Sequence, residues 1–444
     1  MSLARSWIHK CARLTDHKAC NAQWAPQDFL PTRLIYVGDS TKSNHLRLLL
    51  TSTKGPEIEY FVLSHCWGKT EFLTLKKENQ KDMLQSIDYD SLPSNFKDAI
   101  YFTRKMGFKY LWIDSLCIMQ DSKEDWARES KAMCDIYAKA FCTLFSSGSV
   151  DAYGGCFHER YPFQYAPCEL LSSENEILTC QLRAPNPFLA QVEYAPLNQR
   201  AWAFQERILS RRIVHFGTTL LLFECRTQYL SELQGSSLHL GREYVTLDGF
   251  HFNNQKFGYL SGNKKMDQKY IYTTSIANPD GRLGRRLSLN AKPNPLYRLG
   301  PIRESILSSP VVSNRGAFFA LRKDQDAALV YEKPLPLKKQ LRLHQNWFQL
   351  VEAYTSAKLT HSSDRTIAML GIALSIKGQR RDIHYFAGLW CHFVIFDLLW
   401  CVAETPEQQP KDTRAPSWSW MAVDGKISQR ICHSRWPVRR KNIQ

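Results

Sequence analysis

The stretch Tyr110-Leu-Trp-Ile-Asp-Ser-Leu-Cys-Ile-Met-Gln-Asp121 limits what this chain can fold into more than any other part of it. Its apolar run is short and bulky, bounded by Gly107 upstream and by Asp121-Ser122 downstream. That is the pattern of a strand covered on both faces. Asp114 sits where the run turns polar. In open α/β sheets ligands bind beyond the carboxyl ends of the strands, so this carboxylate is a candidate site residue from the outset.

Neighbouring segments supply the rest of such a sheet. Tyr60-Phe-Val-Leu-Ser64 reads as a second buried strand that stops at His65-Cys66-Trp67-Gly68, where glycine permits a sharp turn. Pro93-Ser94 opens a helix with Phe96, Ile100, Thr103 and Met106 at helical spacing, and Gly107 closes it. Ser122-Lys-Glu-Asp125 is a capping box with Asp in place of Glu, starting a helix that turns Trp126, Met133, Ile136, Tyr137 and Ala140 to one side. Phe141 to Phe145 is a third strand, ending in Ser146-Ser147-Gly148-Ser149. Strand, helix, strand, helix, strand predicts a parallel sheet with right-handed crossovers. Arg33 to Val37 and His45 to Leu50 read as a hairpin, and Arg212 to Phe216 and Leu220 to Glu224 as strands around Gly217. Asn198 is placed to cap a helix carrying Trp202, Gln205, Glu206 and Leu209.

With 444 residues, 44% of them hydrophobic, the chain has material for two or three domains. We divide it into a loosely packed lead-in (1–30), an α/β domain (31–230), a basic, partly disordered insertion (231–344), a mainly helical, Trp-rich C-terminal region (345–430) and a basic tail (431–444). The net charge of +16 belongs almost entirely to the second half: residues 1–230 carry 27 Lys+Arg against 25 Asp+Glu, and 231–444 carry 31 against 17. Residues 251–343, including Arg282-Leu-Gly-Arg-Arg286, hold 17 basic and 6 acidic side chains. They lack aromatic interleaving and any nucleic-acid-binding motif, so no specific nucleic-acid partner is expected. The thirteen cysteines include no C-x-x-C pair and no Cys/His cluster with zinc spacing, so buried reduced thiols and no metal are expected. The N-terminus shows no secretory pattern. The apolar stretch Phe386 to Val402 contains His392 and Asp397, which favours a core helix over a membrane span. An intracellular, cytoplasmic protein follows.

Four segments point further. Tyr60-Phe-Val-Leu-Ser-His-Cys-Trp-Gly68, Leu92-Pro-Ser-Asn-Phe-Lys-Asp-Ala99, Leu111-Trp-Ile-Asp-Ser-Leu-Cys-Ile-Met-Gln-Asp121 and Arg200-Ala-Trp-Ala-Phe-Gln-Glu-Arg-Ile-Leu-Ser210 resemble the heterokaryon incompatibility (HET) domain of filamentous fungi. Ala387-Gly-Leu-Trp390, Asp397-Leu-Leu-Trp400 and Ala415-Pro-Ser-Trp-Ser-Trp420 look like the C-terminal region that often accompanies it. Position 65 is His where the family usually has Tyr or another aromatic, and position 201 is Ala where Gly is commoner. The resemblance implies a part in non-self recognition and regulated cell death, with the domain as toxic effector and an incompatibility protein as partner. The HET domain is in turn considered similar to Toll/interleukin-receptor (TIR) domains, whose sheet is parallel and flavodoxin-like and some of which cleave the nicotinamide glycosidic bond of NAD. In those enzymes strands ending in Ser and in Ile-Asp flank the pocket, and the catalytic Glu lies four residues after a Trp on a helix. Leu63-Ser64, Ile113-Asp114 and Trp202-Ala-Phe-Gln-Glu206 match that pattern in order.

The likeness implies that Glu206 is catalytic and that Ser64, Trp67, Asp114 and Trp202 line the cleft, with no cofactor and with NAD as substrate. A carboxylate beside the sugar suits a reaction that passes through an oxocarbenium-like ribose. Trp67 is placed to stack on a flat ring, and backbone amides near Ser146 to Gly148 are placed to meet a pyrophosphate. Two function classes stay open: an NAD glycohydrolase whose activity needs self-association, and a non-enzymatic death-signalling module that assembles with partners. If the first holds, Glu206, Asp114, Ser64 and Trp67 converge on one cleft.

Overall fold

The computed structural model describes residues 1–22, 28–38, 45–51, 58–160, 188–234, 337–357, 364–377, 384–403 and 413–429, with the backbone of 168–171 and 177–180. Most of the expected basic insertion and the whole basic tail lie outside the described residues. The first part of the chain forms α1 (Ser2–Arg13), α2 (Lys18–Asn21), β1 (Arg33–Tyr36), β2 (Arg47–Leu50), β3 (Phe61–Ser64), α3 (Gln80–Gln85), α4 (Ser94–Met106), β4 (Tyr110–Ile113) and α5 (Asp114–Cys117). Then follow α6 (Lys123–Lys139), β5 (Cys142–Phe145), the ribbon β6 (Cys168–Leu171) and β7 (Ile177–Cys180), α7 (Ala201–Leu209), β8 (Arg212–Phe216), β9 (Leu221–Cys225) and β10 (Tyr229–Ser231). The C-terminal region contributes α8 (Leu337–Thr355), α9 (Asp364–Lys377) and a small hairpin, β11 (Tyr385–Phe386) and β12 (Leu389–Trp390).

Eight strands make one sheet in the order β10-β9-β8-β5-β3-β4-β1-β2. The middle four, β4, β3, β5 and β8, run parallel, while both flanks are antiparallel. The sheet is therefore mixed, where a parallel one was expected. Helices bridge the parallel pairs, whereas β1–β2 and β8–β9–β10 are hairpin-connected, and hairpins join only antiparallel neighbours. The strands read from the sequence are all present. In the anchoring stretch the strand ends at Ile113, where the run turns polar, and Asp114 to Cys117 then form α5, which was not expected.

Alternation along the strands assigns the faces. Phe61 of β3 meets Phe102 of α4, and Phe102 also meets Phe216 of β8, so α4 covers one face. Val62 and Ser64 point the other way, as does Trp112 of β4, which stands edge-on to Tyr137 of α6. On that face α6 and α7 pack together, and α9 lies over both. The helix starts and stops follow the sequence signals: the Asp125 N–H donates to Ser122 Oγ at 3.3 Å, and Gly107 ends α4 at φ 89°. Asn198 does not cap α7. It lies in a short turn before Arg200 and bonds Glu193 instead.

Residues 1–22 are not a loose lead-in. Ala4, Trp7, Ile8 and Cys11 line one side of α1 and are buried, with Trp7 6.1 Å from Phe223 of β9. Small Ala and Cys residues fill half of that stripe, which hides its period in the sequence. Nor is Phe386 to Val402 a core helix. Ala387 and Gly388 take φ of 47° and 88° and turn β11 into β12, and Phe386 and Ile395 are 63% and 75% exposed. A Cβ at Gly388 would come within 2.8 Å of the Trp420 indole nitrogen, so the hairpin needs glycine there. Among the described residues no helix is long and apolar enough to cross a membrane.

The C-terminal region shares its core with the sheet. Tyr354 of α8 meets Phe204 of α7 at 5.9 Å, and Trp347, Tyr385 and Trp390 form an aromatic group beneath the hairpin. Burying such rings contributes a few kcal/mol each to docking the region on α7.

Candidate functional site

The parallel register that aligns Leu63 with Ile113 sets the next residues, Ser64 and Asp114, side by side at two strand tips. Both continue the face covered by α6 and α7. Glu206 of α7 reaches this point, and the Ser64 hydroxyl donates to its Oε2. Three residues past the end of β3, Trp67 Nε1 donates to Asp114 Oδ2 at 2.8 Å. The Ser115 N–H donates to Asp114 Oδ1 at 2.7 Å, fixing the carboxylate at the start of α5. Gly68 follows at φ 76°, and a Cβ there would meet Asp151 Cβ at 2.4 Å, so only glycine lets the chain leave the mouth this way.

Four arginines near Glu206 in the sequence suggest an exposed ion pair, but they are otherwise engaged. Arg207 is held by Glu193 and Glu224, each at 2.8 Å. Arg211 and Arg212 donate to main-chain carbonyls of the segment 139–141, and Arg200 donates to the carbonyl of His65. Glu206 is thus left facing Ser64 and is only 7% exposed. Burial pushes its carboxyl up to about 7, while hydrogen bonds from Ser64 and Tyr137 and the charge of Arg200 pull it down. The charge of Asp114 adds to the upward push, which places the two carboxylates within electrostatic reach.

His65 occupies the position where the resemblance expects an aromatic residue. Its ring is buried edge-on to Phe96 at 5.0 Å. Burial lowers its pKa to about 4 against the attraction of Asp114, so it is neutral at physiological pH and packs as an aromatic ring. Cys66 is likewise buried, and desolvation raises its thiol pKa, which keeps it an inert core group.

Ser64, Trp67, Asp114 and Glu206 come together; the other expected residues do not join them. The Trp202 indole donates to Asp364 Oδ2 of α9 at 2.9 Å, tying α7 to the C-terminal region. The amides of Ser146, Ser147 and Gly148 already donate to Ser64, Phe145 and Phe216. A Cβ at Gly148 would stand 2.6 Å from His158 Nε2, so this stretch is filled by protein and is not the open amide cradle expected for a pyrophosphate. Tyr137 and Arg200 also act on Glu206, although in the sequence one reads as part of a helix pattern and the other as a charged flank.

Two further polar groups emerge. Ser147 Oγ lies 3.2 Å from His215 Nδ1, and His215 Nε2 lies 2.9 Å from Glu224 Oε2. This has the composition of a nucleophile triad, but all three are buried and Glu224 also holds Arg207, so the chain serves to lock β8, β9 and α7 together. The second group overturns the expectation of no metal-type cluster: Cys11, His17, Cys20 and Cys225 bring their ligand atoms within 4.8 Å of one another.

Fold and site together define an α/β protein that gathers two carboxylates, a hydroxyl and an indole at the carboxyl ends of adjacent parallel strands, where such sheets bind ligands. Residues 60–206 match the family model for the heterokaryon incompatibility protein (HET), so this segment carries a HET domain. The match begins just before β3 and ends on Glu206. Searches among curated proteins and among solved structures find no significant match.

Proposed function

We propose that this HET domain is the effector of a heterokaryon-incompatibility response and acts in the cytoplasm, triggering cell death by hydrolysing the nicotinamide glycosidic bond of NAD. The observation that carries the reading is Glu206, a buried acid hydrogen-bonded by Ser64 and within reach of Asp114 at the strand tips. The strand order supports it. Counted along the chain, the parallel strands lie second-first-third-fourth as β4-β3-β5-β8, and Ser64 ends the strand where the order reverses. In this reading that order counts toward a flavodoxin-like, TIR-like core.

In this reading Trp67 stacks on the nicotinamide ring and Asp114 holds a ribose hydroxyl. The cationic ring favours the ionised form of Glu206, opposing the burial that holds its pKa near 7. The bond between ribose C1′ and the ring nitrogen breaks with its electron pair going to nitrogen, so nicotinamide leaves neutral and needs no general acid. Glu206 stabilises the positive ribose and accepts a proton from the water that attacks C1′, giving ADP-ribose. A variant Glu206→Gln keeps the shape but removes the charge. Release of nicotinamide from NAD by the full chain, abolished in that variant, is the expected outcome; equal release by both overturns the assignment of Glu206.

The sealing of the site favours a second reading alongside it. Glu206 and Ser64 are 7% and 1% exposed, which suits either a resting enzyme opened by self-association or a module that signals by assembly with its incompatibility partner alone. Expressing wild type and Glu206→Gln while following cellular NAD and viability separates them. Death without NAD loss in both supports the assembly module. In either reading α8 and α9, packed on α7, restrain the effector, and removal of residues 231–444 is expected to change toxicity.

A further inference from the structure

We propose that Cys11, His17, Cys20 and Cys225 bind one zinc ion in a closed, structural Cys3His site that fastens α1 and α2 to the end of β9. The site is independent of the chemistry at Glu206. Its ligands come from three places: Cys11 lies near the end of α1, His17 and Cys20 lie in the turn and helix that follow, and Cys225 closes β9, 208 positions from His17. All four side chains are buried. Three cysteines and a histidine are a standard donor set for structural zinc, and four protein ligands leave no open position for a substrate.

The distances fit. Zinc bonds of about 2.3 Å to sulfur and about 2.0–2.1 Å to nitrogen, at tetrahedral angles, put a sulfur and a nitrogen about 3.5–3.6 Å apart. His17 Nδ1 lies 3.6 Å from Cys20 Sγ and 3.6 Å from Cys225 Sγ. The surroundings suit bound thiolates as well. The Thr227 N–H points at Cys225 Sγ from 3.5 Å, and its hydroxyl lies 3.1 Å from Cys20 Sγ and 3.3 Å from Cys225 Sγ. That hydroxyl also meets His17 Nδ1 at 2.7 Å. With Nδ1 bound to the ion, its proton turns to a thiolate, the outer-shell role that steadies metal ligands. Neighbouring contacts orient the whole group: Arg226 donates to the carbonyls of Ala19 and Leu209, and Arg212 donates to the Asn21 side chain.

A site of this kind couples metal binding to folding, because the unfolded chain does not hold the four donors together. The test uses the full chain, purified without an affinity tag or chelator, with metal content measured by mass spectrometry and free thiols counted in parallel. About one zinc per chain is expected, together with the visible absorption of a tetrahedral cobalt–thiolate centre after cobalt exchange. Cys20→Ser and Cys225→Ser are expected to lose most of the metal, His17→Cys to retain it with an altered cobalt spectrum, and the control Cys391→Ser, an exposed cysteine, to behave as wild type. Because the serine variants can fail to fold, the wild-type measurement decides alone if they do. A folded wild-type chain with no stoichiometric zinc, a disulfide joining any two of Cys11, Cys20 and Cys225, or full metal retention by folded Cys20→Ser and Cys225→Ser overturns the proposal.

Discussion

The Glu206 site and the Cys11–His17–Cys20–Cys225 cluster sit at opposite ends of one sheet. Ser64 and Asp114 lie at the carboxyl ends of parallel strands, whereas Cys225 pairs with Arg212 at the amino-terminal end of β8. At the first end the hydrogen bonds from Ser64 and Tyr137 do not offset the burial of Glu206, which lifts its carboxyl to about 7. At the second, four donors converge and complete one another. The difference teaches where this fold tolerates unsatisfied chemistry: strand tips can be opened by a loop, while a junction between the N-terminal helices and the sheet edge must close.

The largest expected effect breaks the frame on which the mouth is built. Arg207 is buried between Glu193 and Glu224, with Glu224 in turn bonded to His215. Arg207→Ala takes the guanidinium from two buried carboxylates, leaving His215 on Glu224 and Asn198 on Glu193, and the expected loss is about 3–5 kcal/mol in denaturant unfolding. A loss below about 1 kcal/mol would mean that α7 is held by apolar packing alone.

Next in size is the pH dependence of Glu206. Its carboxyl is carried from 4.5 unfolded to about 7 folded, so the folded state holds the proton more tightly. Its contribution to stability is complete below 4.5 and is lost as pH rises through 7, amounting to about 3 kcal/mol. Glu206→Gln cannot titrate. Relative to wild type it is expected to gain about 3 kcal/mol on going from pH 4 to pH 8, measured by urea unfolding at each pH. A difference that stays flat with pH would place Glu206 in water and remove the strained end of the comparison. Such a gain at the cost of activity is the common exchange at functional sites.

The two ends were unequally legible in the sequence. Ser64, Trp67 and Asp114 lie within three residues of a strand end, and each apolar run names its own tip. Glu206 is more instructive: the flanking arginines argue for an exposed pair, and partners fixed by tertiary packing, Glu193 and Glu224 for Arg207 and main-chain carbonyls for the others, free it. Trp202 follows the motif spacing yet turns to Asp364, because α9 offers its indole a buried partner that local periodicity does not reveal. The cysteine cluster was invisible because its fourth donor comes from the far side of the domain. The mixed edges of the sheet were visible as hairpins but not as flanks of a parallel core, since the order of strands is a long-range property.

Gly371 offers a smaller test from the C-terminal side. A Cβ there would lie 2.0 Å from Gln205 Nε2 and 3.3 Å from Cys134 Cβ. Gly371→Ala is expected to cost about 1–3 kcal/mol, toward the low end because the Gln205 amide can swing aside. The shift acts on α7, so nicotinamide release is expected to change while zinc content does not. Equal loss of both would show that the two ends of the sheet are coupled.

The smallest effect isolates one hydrogen bond at the mouth. Trp67→Phe keeps an aromatic face but deletes the donor that meets Asp114 Oδ2 at 2.8 Å. Asp114 keeps the Ser115 N–H and is partly exposed, so water replaces the indole and the cost is about 1 kcal/mol. The charge beside Glu206 is unaltered, so the pH profile of stability is expected to match wild type. Asp114→Asn differs in kind. It removes a negative charge that helps to raise Glu206, so the carboxyl falls and the pH-linked loss of stability shrinks. If the two variants give the same pH profile, Asp114 acts on the site through the Trp67 hydrogen bond alone, and its charge has no part in setting the acid on α7.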